Sequence, residues 1–514
     1  MKKIVLLFIL VPIFVNAQNK DSVAIKYANS ISIESLKNNL TIIASDEYEG
    51  RETGRRGQKM AADFIVQEFK TAGVQPLKHN NYFQQFLLDE KQPGEIKFFI
   101  EEKEYVANTD YYSFSGDINT NKRKIKTKEI TFLGYGIEDN SYNDYKNADV
   151  KNKTLLIFSG EPVDKDSVPV IKNQKEWVGY DKLKIKNAKE KGVRTLLIVK
   201  DEINKDIEKY KNKLLSPGMV LKNERDRIVV IYISKQMAND LLIGITNVDK
   251  LKQEIVISQK PVNLKVKKHL KIETKSKAQK ISSENVLGYI EGSDLKDEVV
   301  VISAHYDHLG IKDNKVYNGA DDDGSGTVAL IELAKAFAKA KKEGKGPRRS
   351  MLFIAFSGEE KGLLGSLYYA EHPEIAMSKT VCDLNIDMIG RIDEKHINKP
   401  DYVYVIGSDK LSSELHAISE TANKTYTHLE LDYTYNDEKD RNRFYYRSDH
   451  YNFAKNGVPV IFYFNGVHED YHQETDEVQK INFEKIKSRS TLVFFTAWEL
   501  ANRNERIKVD SNKK

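Results

Sequence analysis

From residue 285 to the C-terminus, short apolar runs alternate with stretches of helical periodicity, and this alternation limits the fold more than any other feature of the sequence. The runs are "EVVVISA", "SMLFIAF", "VCDLNID", "YVYVIG" and "VPVIFYF". Strands separated by helices predict an α/β domain, a mixed, largely parallel twisted sheet with helices on both faces. Polar, ligand-type residues fall just past the C-terminal ends of several runs. His305-Tyr306-Asp307-His308 follows the first, Glu359-Glu360 the second, Asp387 ends the third, and "NGVHEDYHQETDE" follows the last. That edge is where open α/β sheets bind ligands.

The rest of the chain divides by texture. With 514 residues, two folded units are expected. The opening "MKKIVLLFILVPIFVNAQNK" has two lysines, an apolar stretch from Ile4 to Val15 and a small-residue cleavage site before Gln18. It reads as a signal peptide over 1–17, which implies export to the periplasm or the extracellular space. The stretch is shorter than the ~20 residues a membrane span needs, and no later stretch is long enough either. Residues 18–128 are expected to form an N-terminal part of the sheet domain, in which Met60, Phe64, Ile65 and Phe69 mark one helix face that Gly73 ends. Residues 129–272 carry short strand runs such as "KTLLIFSG" and "VRTLLIVK" with helical connectors at 181–192 and 235–243, an inserted α+β module. The sheet domain then occupies 273–514.

Composition removes some function classes. The 81 basic and 76 acidic side chains leave a formal net charge of +5, which favours no nucleic acid partner. One cysteine, Cys382, cannot form an intramolecular disulfide and reads as a buried strand residue, so an exported fold of this size stands on its core or on metal.

Taken singly, each polar residue at the sheet edge has a plain reading: a hydrogen-bonded loop histidine, a helix N-cap, or, in "NGADDDGSG", a turn whose carboxylates bind calcium. Taken together, histidines and carboxylates at one edge suit zinc, since a calcium site is normally all oxygen. His308 and His468 lie next to these blocks and read as loop histidines.

The order His-x-Asp, Gly-Ala-Asp-Asp-x-x-Ser-Gly, Glu-Glu-x-Gly-Leu-Leu-Gly-Ser, a strand-ending Asp and Tyr-His-x-x-x-Asp resembles the two-zinc exopeptidase family of the bacterial leucyl aminopeptidases, glutamate carboxypeptidase II and the transferrin receptor. "EGRETGRRG" matches the family's N-terminal segment, and 129–272 is similar to its protease-associated insertion, which would narrow the entrance to the cleft. The resemblance implies two Zn2+ per chain. Asp322 would bridge them, with His305 and Asp387 completing one site and Glu360 and His472 the other. Glu359 would be the general base acting on a water activated by the metals. Asp307 would accept the second ring N–H of His305, and Tyr471 would either donate to the developing oxyanion or simply pack along the cleft. The resemblance also implies a cis peptide between Asp322 and Asp323. Peptides are the implied substrates. "RSDHYNF" is closer to the aminopeptidases than to the carboxypeptidases, and Asp449 within it becomes a candidate substrate contact. Carboxypeptidase, glutaminyl cyclase and a non-catalytic receptor-like protein stand as alternatives.

Overall fold

The computed structural model describes residues 20–511 apart from 79–80, 119–122, 172–180, 223–227 and 439. The proposed signal peptide lies outside the described residues. The chain forms two compact units, one of residues 1–84, 285–359 and 369–514, the other of 85–284 and 360–368.

The first unit is built on strands β1 (Ala278–Ile290, within this unit from Asn285), β2 (Leu295–His305), β3 (Arg349–Phe356), β4 (Thr380–Ile386), β5 (Tyr402–Ile406), β6 (Glu430–Asp432) and β7 (Val460–Phe464). Their spatial order is β6-β5-β7-β4-β2-β3-β1. β2 runs parallel to β3 and β4, β4 to β7, and β5 to β6, while β1 against β3 and β5 against β7 are antiparallel. Alternate residues of a strand face opposite sides of a sheet. Val300, Ile302 and Ala304 of β2 accordingly enter one core while Val299 and Val301 enter another. The first core is closed by helices α2 (Arg56–Ala72), α3 (Gly326–Lys342) and α4 (Phe483–Asn502) through Ile65, Phe69, Leu333, Phe337, Phe494 and Trp498. Tyr369, Leu411 and Phe453 help close the second. Cys382 is buried inside β4.

α2 ends at Gly73, whose φ of 80° supplies the left-handed turn. β1 was not among the expected strands, because "ISSEN" offers no apolar run. Its place is set by main-chain pairing to β3 and by Gly288, where a Cβ would lie 2.7 Å from the Phe69 ring.

The N-terminal segment is tied to the sheet edge by Arg51. Its guanidinium is fully buried and donates to the carbonyls of Ile43 (2.8 Å), Tyr306 (2.8 Å), Asn318 (2.6 Å) and Gly319 (2.9 Å). Two of these carbonyls lead directly into "ADDDG".

The second unit is wider than the 129–272 expected from the sequence. Strand Glu95–Ile100 pairs with Asn263–Lys275 and with Lys103–Tyr105, and Tyr111–Tyr112 pairs with Val229–Ser234, so residues well before 129 complete its sheet. Parallel strands Arg123–Leu133, Thr154–Phe158, Thr195–Lys200 and Val229–Ser234 form the sheet's interior, with helices at Lys182–Glu190 and Lys235–Leu242. Buried Asp144 fastens a turn here by accepting from the amides of Tyr135 (3.0 Å) and Ile137 (2.9 Å). Gly134, at φ 47°, leaves room for that carboxylate, since a Cβ would stand 2.1 Å from its Oδ1.

Two predictions follow from these buried charges. Arg51→Met leaves four carbonyls without their donor and should lower stability by at least ~3 kcal/mol, read as a shift of the urea midpoint; Arg51→Lys should fall between parent and Met, because an ammonium cannot span four acceptors. Burial pushes Asp144 up to about 7, although the two amides oppose the shift. An unfolded aspartate titrates near ~4, so the folded chain keeps a proton that the unfolded chain has released. The stability this adds is complete below about pH 4 and is lost as pH rises through about 7. Asp144→Asn should therefore flatten the fall in melting temperature of this unit between pH 5 and 8; an unchanged slope would refute the assignment.

Candidate metal centre

Side chains from the C-terminal ends of β2, β3 and β4 and from the loop after β7 converge on Asp322. Its Oδ1 lies 3.4 Å from His305 Nε2 and its Oδ2 3.0 Å from His472 Nε2. The two oxygens of one carboxylate thus face two different imidazoles. Asp387 Oδ1 is 3.5 Å from the same His305 nitrogen. His305, Asp322 and Asp387 present ligand atoms all within 4.8 Å of one another, and His308 Nδ1 is 3.9 Å from Asp322 Oδ2; Glu360, peptide-bonded to Glu359, is the first residue of the segment 360–368 that belongs to the second unit.

The flanking acids of "ADDDG" explain why the middle one is presented. Asp321 accepts from the Gly390 amide (2.6 Å) and faces His468 Nε2 (3.1 Å). Asp323 accepts from the amides of Gly326 (2.9 Å), Met388 (2.9 Å) and His305 (3.2 Å). Asp476, the Asp of the Tyr-His-x-x-x-Asp block, takes the amides of Asp321 and Asp322. The turn is therefore fixed through main-chain bonds, and the peptide between Asp322 and Asp323 is cis, as the resemblance implied.

Burial opposes charge on His305, yet Asp387, Glu359 and Asp322 outweigh it and hold its pKa well above the usual histidine value. Burial likewise opposes charge on Asp322, and hydrogen bonds from His305 and His472 hold its carboxyl well below the usual range. A hollow that favours cationic partners this strongly, lined by imidazole and carboxylate, fits zinc in donor chemistry.

Several residues sit differently from their expected places. His305 Nδ1 is 3.1 Å from the main-chain oxygen of Asp307, whereas the Asp307 carboxylate is 3.9 Å away. The carboxylate instead accepts from the Thr53 hydroxyl (2.6 Å) and from the Glu359 amide (3.1 Å). Asp307 thus orients the imidazole through its carbonyl and the Glu359 loop through its side chain. His308 is no plain loop residue: it is fully buried beside Asp322 and packs against Gly319, whose missing Cβ would otherwise lie 2.5 Å from its ring. Its signal in the sequence was only proximity to His305. His472 is the more open of the two, with 37% of its side chain exposed. Asp449 is fully buried and absent from the cleft lining, so it does not stand where a substrate would touch it. Its neighbour Ser448 went unnoticed, and it donates to Asp387 Oδ2 at 2.7 Å.

Ser448 ends a buried series. Asn385 Nδ2 donates to Ser448 Oγ (2.8 Å), and Ser303 Oγ stands 2.9 Å from Asn385 Oδ1 and 2.8 Å from Asp383 Oδ1. One hydroxyl proton cannot serve both acceptors. Burial raises Asp383 well above the carboxylate range, against the hydrogen bond from Ser303. From Asn385 onward the donors run toward Asp387, Asn385 Nδ2 to Ser448 and Ser448 Oγ to Asp387.

The cleft beside this centre is lined by Glu359, Met388, Phe444, Arg447, Phe462, Phe464 and Tyr471 along with Asp322, Asp387 and His472. Tyr471 stacks on His472 with ring centroids 3.9 Å apart. Removing the last link of the donor series, Ser448→Ala, should weaken zinc retention by ~10-fold or more in chelator competition while leaving the circular dichroism spectrum unchanged. Parent-like retention would show that Asp387 needs no support.

The model of peptidase family M28 matches residues 285–496. Aminopeptidase YwaD of Bacillus subtilis is 25% identical over 299 residues, covering 55% of this chain and 59% of the relative. A probable leucine aminopeptidase of Arthroderma otae is 29% identical over 237 residues, covering 44% of this chain and 61% of the relative. The chain thus spans less than two-thirds of the length of these curated relatives. Among solved structures, an aminopeptidase from Aneurinibacillus sp. strain AM-1 superposes with a TM-score of 0.53 at 18% identity, over 95% of this chain and 98% of the other, and shares the fold. The sequence pattern of peptidase family M28 thus covers residues 285–496, and the mixed sheet beneath it is the fold shared with that aminopeptidase.

Proposed function

We propose that the protein is a zinc-dependent aminopeptidase that removes N-terminal residues from peptides. The observation that carries the reading is the split of Asp322, one oxygen toward His305 and the other toward His472, which suits a carboxylate shared by two cations. His305 with Asp387 would hold one zinc, and Glu360 with His472 the other; buried His308 is available on the second side. Zinc bound there would polarise the scissile carbonyl and acidify the attacking water.

The chain's own residues would do the rest. Glu359 reaches the centre with Oε2 3.9 Å from His305 Nε2, and its loop is anchored to Asp307. A carboxylate so placed can take the proton of the attacking water and deliver it to the leaving amine. The Tyr471 hydroxyl, in the same cleft, can donate to the carbonyl oxygen as negative charge develops there. Met388, Phe444, Phe462 and Phe464 offer an apolar wall for the first side chain. The relatives named as aminopeptidases support cutting from the N-terminus.

Glu359→Gln should retain parental zinc by elemental analysis while kcat falls by at least ~10²-fold on a leucine amide substrate. Acetylating the substrate amine should abolish cleavage. Parental turnover by Glu359→Gln would remove the base assignment, and rapid loss of C-terminal residues from acetylated peptides would reverse the direction.

A further inference from the structure

Arg447 is the cation of the cleft. Its guanidinium lines the same cavity as Asp322, Glu359, Asp387 and His472. It lies 4.7 Å over the Phe444 ring, and its Nη2 donates to Tyr471 Oη at 3.2 Å. Other arginines of this unit meet carboxylates or several carbonyls: Arg348 meets Asp294, Arg391 meets Asp470, and Arg489 donates to the carbonyls of Tyr402, Ile389 and Arg391. Among the described residues Arg447 makes no ion pair and donates only to that phenol oxygen. A guanidinium held by stacking and by one hydrogen bond has already lost much of its rotamer freedom, and its other N–H groups remain for a planar, doubly accepting anion.

We propose that Arg447 receives a substrate carboxylate carried by the residue that follows the cut bond. This rests on the peptidase reading above. If the Tyr471 hydroxyl meets the scissile carbonyl oxygen, Arg447 stands one hydrogen bond beyond it, at 3.2 Å. The next residue's carboxylate lies one residue along, and consecutive Cα atoms are ~3.8 Å apart. Carbonyl and carboxylate therefore belong to adjacent residues. The carboxylate has two sources: the α-carboxylate of a dipeptide, or the side chain of Asp or Glu as second residue of a longer peptide. The cleft also carries both signs of charge, with Asp322, Glu359 and Asp387 lining it together with Arg447. A zwitterionic dipeptide carries both signs as well.

The test compares kcat/KM of the zinc-loaded full chain on Leu-Ala against Leu-Ala amide, and on Leu-Glu-Ala amide against Leu-Gln-Ala amide. The parent should prefer at least one acidic member by ~10-fold or more, as a charge-assisted bidentate contact provides. Preference within the first pair assigns the α-carboxylate, and preference within the second assigns the side chain. Arg447→Ala should bring the preference to about one, and Arg447→Lys should restore part of it. No acidic preference in the parent overturns the proposal. So does a preference that survives in Arg447→Ala, including the case in which all four substrates slow equally, because the arginine would then act through Tyr471 or the fold. Acetyl-Leu-Ala separates the two readings. Its cleavage with the same Arg447 dependence would overturn the aminopeptidase direction and still support the carboxylate contact. No cleavage of any probe would overturn the peptidase reading and this inference with it.

Discussion

Six aspartates are buried at one sheet edge: Asp307, Asp321, Asp322, Asp323, Asp387 and Asp476. Charges of one sign packed this closely oppose folding unless each finds a donor or keeps its proton. The chain uses both solutions. Main-chain amides from Gly326, Met388 and Gly390 neutralise the flanking acids of "ADDDG", and buried Arg51 supplies a permanent cation whose donors are committed to carbonyls around the same turn. Burial raises Asp323 well above the carboxylate range, with the Asp387 charge adding to the shift, and pushes Asp476 up to about 6 against the amides it accepts. What is left facing the hollow is Asp322, Asp387 and the imidazoles, a set that needs cations to complete it.

This division of labour explains what could be read from the sequence. The five apolar runs appear as strands because each is long, buried and followed by a change of residue type; β1 escaped because half of it is polar and its stabilisation is main-chain pairing. Ligand types were legible because they follow strand ends, and Asp322 was placed by its position in a motif. The supporting shell was not. Ser448 and Asn385 are common residues whose meaning lies in contacts across 63 positions of chain, and nothing local distinguishes the carbonyl of Asp307 from its carboxylate as the partner of His305. His308 carried the right chemistry, but only the fold shows that it turns inward. The boundary of the second unit was misplaced for a related reason: edge strands such as Lys103–Tyr105 are too short to declare themselves without their partners.

Arg51 also accounts for the match between "EGRETGRRG" and a sheet domain far along the chain. Its guanidinium joins helix α1 (Ile33–Ile43), through the Ile43 carbonyl, to the strand end carrying His305 and to the entry of the aspartate turn. Thr53, two residues on, holds Asp307. The N-terminal segment lacks the long strands a separate core would need and instead acts as a bracket on the sheet edge, which makes the geometry of the candidate centre depend on residues outside it.

The two sides of Asp322 are not built alike. His305 and Asp387 project from the ends of two strands at the middle of the sheet, and the donor series through Ser303, Asn385 and Ser448 braces Asp387 from within the core. His472 stands on a loop, partly open to solvent, at a φ of 59° that a side-chain-bearing residue adopts at some cost. If two cations bind as proposed, one on the strand side would have to break into a rigid, buried frame to leave, whereas on the loop side one imidazole could swing away first. The two positions would then differ in exchange kinetics more than in ligand chemistry, the loop side being the one that trades with the medium and takes its identity from whichever divalent metal the surroundings supply.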